Sequence, residues 1–268
     1  MKTIRLLSGG LVATLLASPV LADDRLQQVI ADPDRPEVMS ERDPFRHPYE
    51  TLMFFGIQPD MTVVEISPGG GWYTEILGPY LKDDGQLIAA HWNMEGDIPD
   101  FYREIRARFD ARVADADRFG EIDVIAFDPP ELARLAEPGT ADIVLTFRNV
   151  HSYMGRGTWN DVVDAAHAAL KPGGVFGVVG HRLPEDRQQD PEADSGYVKQ
   201  SVVVGSVESR GFRLVEAAEI NANPADTADH PNGVWTLPPG LRVPDGEDQE
   251  KYRQIGESDR FTLKFVKR

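Results

Sequence analysis

Cysteine is absent from the 268 residues, which excludes disulfides, a thiolate nucleophile and a zinc site built on sulfur. The absence does not decide the compartment. Positive charge is scarce: 28 Lys and Arg face 44 Asp and Glu, for a net charge of −16, and so acidic a chain is unsuited to bind nucleic acid or an anionic membrane surface. Long apolar runs are missing as well. The apolar stretch near the N-terminus, Leu11 to Leu16, lies between Gly9-Gly10 and Pro19 and is too short to span a bilayer. Two catalytic signatures are also lacking. No G-x-S-x-G elbow supports a serine hydrolase, and no G-x-x-x-x-G-K-[ST] loop supports phosphoryl transfer.

What is present begins with an export signature. Lys2 and Arg5 precede the short apolar stretch, and Val20 and Ala22 precede Asp23, which predicts a signal peptide over residues 1–22, cut after Ala22, and a periplasmic or secreted product. Removing residues 1–22 from 268 leaves 246, and takes the charge from −16 to −18 because two cations and no acid are lost. That length fits one α/β domain. Residues 23–46 form a polar leader rich in Asp, Arg and Pro, and residues 47–268 form the expected domain.

Along that domain, strands and helices alternate. HPYETLMFFGIQPDM carries Leu52, Phe54 and Phe55 ahead of Gly56 and reads as a short helix ending before Pro59. MTVVEI reads as a buried strand, WYTEILGPYLKDDG as a helix beginning at a glycine turn, and QLIAAHW as a second strand. IPDFYREIRARFDARV is a surface helix with Phe101, Ile105 and Phe109 at helical spacing. IDVIAFD and ADIVLTF supply strands three and four, TWNDVVDAAHAAL a helix, and KPGGVFGVVGH a glycine turn into strand five. A helix from Tyr197 to Gly211 precedes FRLVEAAEI, and FTLKFVKR closes the chain. This alternation predicts a doubly wound α/β fold, with a seven-stranded, mostly parallel sheet covered on both faces. Residues 221–258 form an insertion between the last two strands. Its Trp235 and Leu237 argue against plain disorder and predict a lid or edge flap.

The stretch VVEISPGGGWYT places an acid at the end of the first strand and three glycines before a helix, an arrangement in which backbone N–H groups approach a nucleoside-type ligand. A dinucleotide fingerprint would need a third glycine at position 74, which is Thr74. Glu65, Ser67, Gly69 and Gly71 instead fill the four slots of E/D-x-G-x-G-x-G, with serine for the first glycine. In this the chain resembles class I S-adenosylmethionine-dependent methyltransferases at their motif I. ADIVLTF resembles that family's fourth strand, and ALKPGGVFGVVGH resembles the LKPGG turn before its fifth. HPYETLMFFGI, PGGGWYTEILGPYL, RNVHSY, GVWTLPP and IGESDRFTLKFVK together are similar to a group of exported bacterial methyltransferases, and the likeness runs from Arg42 to the end.

The resemblance implies a Rossmann-like methyltransferase fold with an antiparallel last strand, S-adenosyl-L-methionine as cofactor, and a small-molecule acceptor. It implies that Ser67 and Gly69, Gly70 and Gly71 cradle the cofactor's amino-acid end, with Glu65 accepting from it. His91 stands where the family carries an acid for the ribose hydroxyls. An imidazole offers one acceptor where a carboxylate offers two, and Glu95 or Asp97 would substitute if the next loop folds back. Asp128 falls where the family contacts the adenine amino group, or else serves as a turn residue before Pro129-Pro130.

Strand ends supply the remaining candidates, because ligands of open α/β sheets bind at the carboxyl edge. Asn149 and His151 would orient or deprotonate the acceptor, His151 as general base, unless it only bonds a neighbouring loop. Arg148 or Arg182 would hold an anionic part. His91, His151 and His181 show no recognised ligand spacing, so no metal is expected. His47, His167 and His230 read as structural. Tyr197, Trp72, Tyr73 and Trp235 either wall a pocket or pack. A second reading keeps the fold and drops the reaction: an exported small-molecule-binding protein. A third leaves the enzyme inside the cell. A bulky residue at Gly71 is expected to close the nucleoside site with little loss of fold.

Overall fold

The structure, a computed structural model, describes residues 23–268; the expected export signal lies outside them. Four short helices come first: α1 (Asp24–Ile30), α2 (Glu37–Ser40), α3 (Asp43–Arg46) and α4 (Pro48–Phe55). Gly56 ends α4 in the left-handed conformation, φ 82°, its N–H reaching the carbonyls of Leu52 and Met53, as a glycine after a helix commonly does. Then β1 (Thr62–Ile66), α5 (Thr74–Leu81), β2 (Gln86–His91), α6 (Asp100–Val113), α7 (Ala116–Phe119), β3 (Ile122–Ala126) and β4 (Ala141–Phe147) alternate. They are followed by α8 (Val150–Gly155), α9 (Trp159–Ala169), β5 (Leu170–Leu183), β6 (Val198–Lys199), α10 (Gln200–Glu208), β7 (Phe212–Ala218), α11 (Gln249–Ile255) and β8 (Arg260–Lys267).

The strands form one sheet in the order β3-β2-β1-β4-β5-β8-β7. All neighbours from β3 to β5 are parallel, and β8 runs antiparallel to both β5 and β7. The expected sheet and its antiparallel last strand are therefore present, with one addition: the two-residue β6 pairs β5 beside the main path. Successive β-branched residues of β1 serve opposite faces. Val64 and Ile66 pack with Val144, Phe176 and Phe261, while Val63 packs with Leu52, Ile76 and Leu87, which is why the parallel strands read as continuous apolar runs.

Three regions differ from expectation. The polar leader is helical, and Leu26 of α1 is wholly buried against the α5 side of the sheet. α6 forms over the anticipated residues, yet only Phe109 of its three spaced apolar residues is buried, and Phe101 is 60% exposed. Within 221–258 there are a 3₁₀ turn (Gly233–Thr236) and α11. Asp226 anchors that segment by accepting from the Tyr197 hydroxyl, the Ala228 and Asp259 N–H groups and His230. Among the described residues no helix is long and apolar enough to cross a membrane.

The chain turns direction across the sheet at β1, since β2 lies on one side and β4 on the other. A crevice opens at the carboxyl ends of such a pair.

Candidate active site

Residues 67–73 join β1 to α5 at that crevice. Gly69 and Gly71 take φ of 59° and 80°, and Ser67 itself takes φ 49°. The left-handed backbone that a glycine adopts freely is thus kept at Ser67, at a cost of about 1 kcal/mol. The Ser67 hydroxyl shares a 2.6 Å hydrogen bond with that of Tyr153, which ties the strained residue to α8. A side chain at Gly69 or Gly70 would meet nothing within 4 Å, whereas one at Gly71 would press on the Phe109 ring at 3.1 Å. Gly71 is therefore required by the fold. The expectation that a bulky replacement there leaves the fold intact is corrected, and Gly70 is the position with open space.

Two side chains hold the turn from beneath. His91 is fully buried. Its Nδ1 lies 2.8 Å from the Trp92 N–H, which can only donate, so Nε2 carries the proton and donates to the Gly69 carbonyl at 3.0 Å. Burial pushes this imidazole down to about 4, and it stays neutral. His91 sits at the end of β2 as anticipated, but both ring nitrogens are engaged and neither is free to accept a ribose hydroxyl. Asn149 donates through Nδ2 to the carbonyls of Ile66 and Ser67, at 3.0 and 3.2 Å. It positions the turn as well as facing the crevice.

Glu65, Ser67, Gly69, Gly70, Arg148 and Asn149 line one cavity of about 350 Å³. Asp128 meets Ser67 and Asn149 again in a neighbouring cavity of about 450 Å³, walled by Trp92, Asn93 and Tyr102. These volumes suit a small ligand. Glu65 accepts from the Thr74 hydroxyl at 2.6 Å; burial pushes its carboxyl up to about 7, against the pull of Thr74 and Arg46. Asp128 pairs with Arg156 at 3.0 Å.

Two candidates stand apart. Arg182 donates to both oxygens of Asp259 and both of Glu219, at 2.7–2.8 Å. Four of its five N–H donors are taken, it lines neither cavity, and its anion-holding role is corrected to a structural clamp. His151 also lines neither cavity. Its ring lies 5.4 Å from that of His181 and 5.6 Å from that of Trp235, beside the 221–258 segment. Burial and nearby Arg148 push it down to about 4, a weak base at neutral pH. No residue of 221–258 lines either cavity, so among the described residues that segment is an edge packing rather than a lid on this crevice.

The side chains that sequence reasoning missed come from the leader. Val38, Met39, Arg42 and Arg46 wall the first cavity. Arg42 and Arg46 reach Glu257 at 2.6 and 3.3 Å, and Arg260 reaches the same carboxylate at 3.1 Å. The basic residues of ERDPFRHP were the available signal, but their partner lies more than 200 positions away.

No protein-family model matches the chain, and no curated protein sequence does. Solved structures do resemble it. A SAM-dependent methyltransferase from Aquifex aeolicus is 13% identical over 91% of this chain and 98% of its own, with a TM-score of 0.57. A Burkholderia thailandensis 1,6-didemethyltoxoflavin-N1-methyltransferase, solved with that compound and S-adenosylhomocysteine, is 14% identical over 96% and 93%, with a TM-score of 0.51. An arsenic(III) S-adenosylmethionine methyltransferase from Chlamydomonas reinhardtii is 15% identical over 90% and 72%, with a TM-score of 0.50. At these identities the likeness concerns the fold: the chain has the Rossmann-like architecture of class I S-adenosylmethionine-dependent methyltransferases.

Proposed function

We propose that this protein binds S-adenosyl-L-methionine at the Ser67–Gly71 turn and catalyses methyl transfer to a small-molecule acceptor. The observation that carries the reading is the open backbone at Gly69 and Gly70, facing a cavity that the buried Glu65 also lines, at the switch point of a methyltransferase-type sheet. When bound, the cofactor supplies an electrophilic methyl group on a sulfonium. The chain's own residues would do the holding. Gly69 and Gly70 let a ligand approach the backbone, Glu65 accepts from an ammonium group, and Trp92, Asn93 and Tyr102 wall the space where a nucleoside would lie. Asn149 and His91 keep the turn in shape. In-line methyl transfer asks mainly for positioning, so a strong base is not required, consistent with the weak basicity of His151.

Calorimetry tests it: S-adenosylhomocysteine is expected to bind the purified chain, and no heat at millimolar ligand would remove the assignment. The second reading, a small-molecule-binding protein without transfer, is favoured by one observation, the lack of a free acceptor on His91 for ribose hydroxyls. Mass spectrometry of the protein taken from its native compartment separates the two by what is bound. The export reading goes with the proposal, and a reporter fusion with cell fractionation tests it: a full-length cytosolic product would overturn it.

A further inference from the structure

The lining of the first cavity carries more positive charge than the protein neutralises. Arg42, Arg46 and Arg148 line it, and Arg260 pairs with Glu257, sharing its Oε2 with Arg46. Both oxygens of Glu257 are engaged by Arg42, Arg46 and Arg260. Three guanidiniums thus pair with one carboxylate, and together with nearby Arg148 they hold it far below the ordinary carboxylate range. Arg148 makes no ion pair among the described residues, and its Nε is buried without a hydrogen-bond partner, as is Nη2 of Arg42. Burial and the neighbouring cations pull Arg46 and Arg148 below the ordinary range, Arg148 to about 10. Glu65, the acid that lines the cavity, is pushed up to about 7 by burial.

A buried cation without a partner is costly, and an orphaned guanidinium N–H adds to that cost. The cofactor proposed above relieves it at most in part, through its single carboxylate. S-adenosylmethionine brings a sulfonium and an ammonium against one carboxylate, so its net charge is positive. We propose that the methyl acceptor is an anion, bearing a carboxylate or phosphate group that the Arg148 and Arg42 guanidiniums hold. The inference rests on the methyl-transfer reading of the same crevice. The anionic group serves as a handle that orients the acceptor, and the planar donor forks match such an oxyanion in two-point fashion.

The test titrates benzoate and inorganic phosphate into the full chain pre-loaded with S-adenosylhomocysteine, so that a carboxylate and a phosphate are read separately. At least one probe is expected to bind the loaded chain. Arg148→Gln is expected to weaken that probe at least about tenfold, and by more than it weakens S-adenosylhomocysteine, and Arg148→Lys to recover part of the loss. Should Arg148→Gln fail to fold by circular dichroism, Arg42→Gln carries the same measurement. Failure of both probes on the loaded chain overturns the inference and leaves cofactor binding standing. Competition between probe and S-adenosylhomocysteine, with Arg148→Gln weakening both alike, also overturns it, because the guanidiniums then serve the cofactor's own carboxylate. If S-adenosylhomocysteine does not bind at all, the methyl-transfer reading falls. Probes on the free chain then decide: Arg148-dependent binding supports the anion site, and none removes it.

Discussion

The ends of β4 and β5 lie side by side on the same edge of the sheet, and each carries an arginine, but only one of them is available to a ligand. Beyond β4, Arg148 lines the cavity and its Nε has no partner. In the last residues of β5, Arg182 spends its donors on Asp259 and Glu219, and His181 bonds Ser258 at 2.5 Å. The difference is the supply of partners. β5 is 14 residues long and ends between β6 and the chain entering β8, where Asp259, Glu219 and Ser258 meet its polar side chains. β4 stops after seven residues, and its successors turn back over the crevice. A strand's carboxyl end is thus a place where function can sit, and the neighbouring chain decides whether it does.

The largest effect is expected from filling the free end. Gly70 lines the cavity, lies outside the left-handed backbone region and has nothing within 4 Å of an added Cβ. Gly70→Leu is expected to weaken S-adenosylhomocysteine at least about a hundredfold, or about 2.7 kcal/mol, with an unchanged melting temperature. Gly71→Leu, facing Phe109 with φ 80°, is expected to unfold at lower temperature instead. If Gly70→Leu binds as well as the native chain, the free end does not hold the cofactor.

Much of this division was legible in advance, and its limits are physical. The β-branched runs and glycine stops that mark β1, β4 and the 67–73 turn are local patterns, so they could be read along the chain. Pairing is not local. Nothing in GHRLPED announces that Arg182 will find Asp259, and nothing in ERDPFRHP announces that Arg42 and Arg46 will converge on Glu257. His91 shows the same limit at one residue: its position at the end of β2 was readable, but its tautomer follows from where the Trp92 N–H and Gly69 carbonyl fall in space. The insertion's aromatic content suggested a lid or an edge flap. Its Trp235 packs beside His151 at the edge, and the leader walls the crevice.

The locked end gives the next prediction. Arg182→Ala leaves Asp259, whose side chain is 18% exposed, without its bidentate partner; Glu219, 67% exposed, loses little. Stability is expected to fall by about 2 kcal/mol, below the range for a fully buried pair, with S-adenosylhomocysteine affinity unchanged. Chemical denaturation and calorimetry check both halves. A binding defect at native stability would erase the contrast between the two strand ends.

The smallest effect is a proton, and it sharpens the contrast from the cavity side. In the fold, Glu65 titrates near 7, where the unfolded chain titrates near 4.5. Between those values the native state holds a proton that the unfolded state has released, so stability falls as pH rises through this window, by at most about 1.4 kcal/mol per pH unit. A ligand ammonium needs the carboxylate ionised. Binding therefore releases the proton, and S-adenosylhomocysteine affinity is expected to rise with pH from 5 to 7, by at most about tenfold per unit, and then level. Calorimetry across that range in two buffers of different ionisation enthalpy reads both the slope and the proton. Glu65→Gln is expected to flatten the profile. A flat profile in the native chain would mean that Glu65 takes no ligand cation, leaving the basic wall of the crevice as its only charged contact with what binds there.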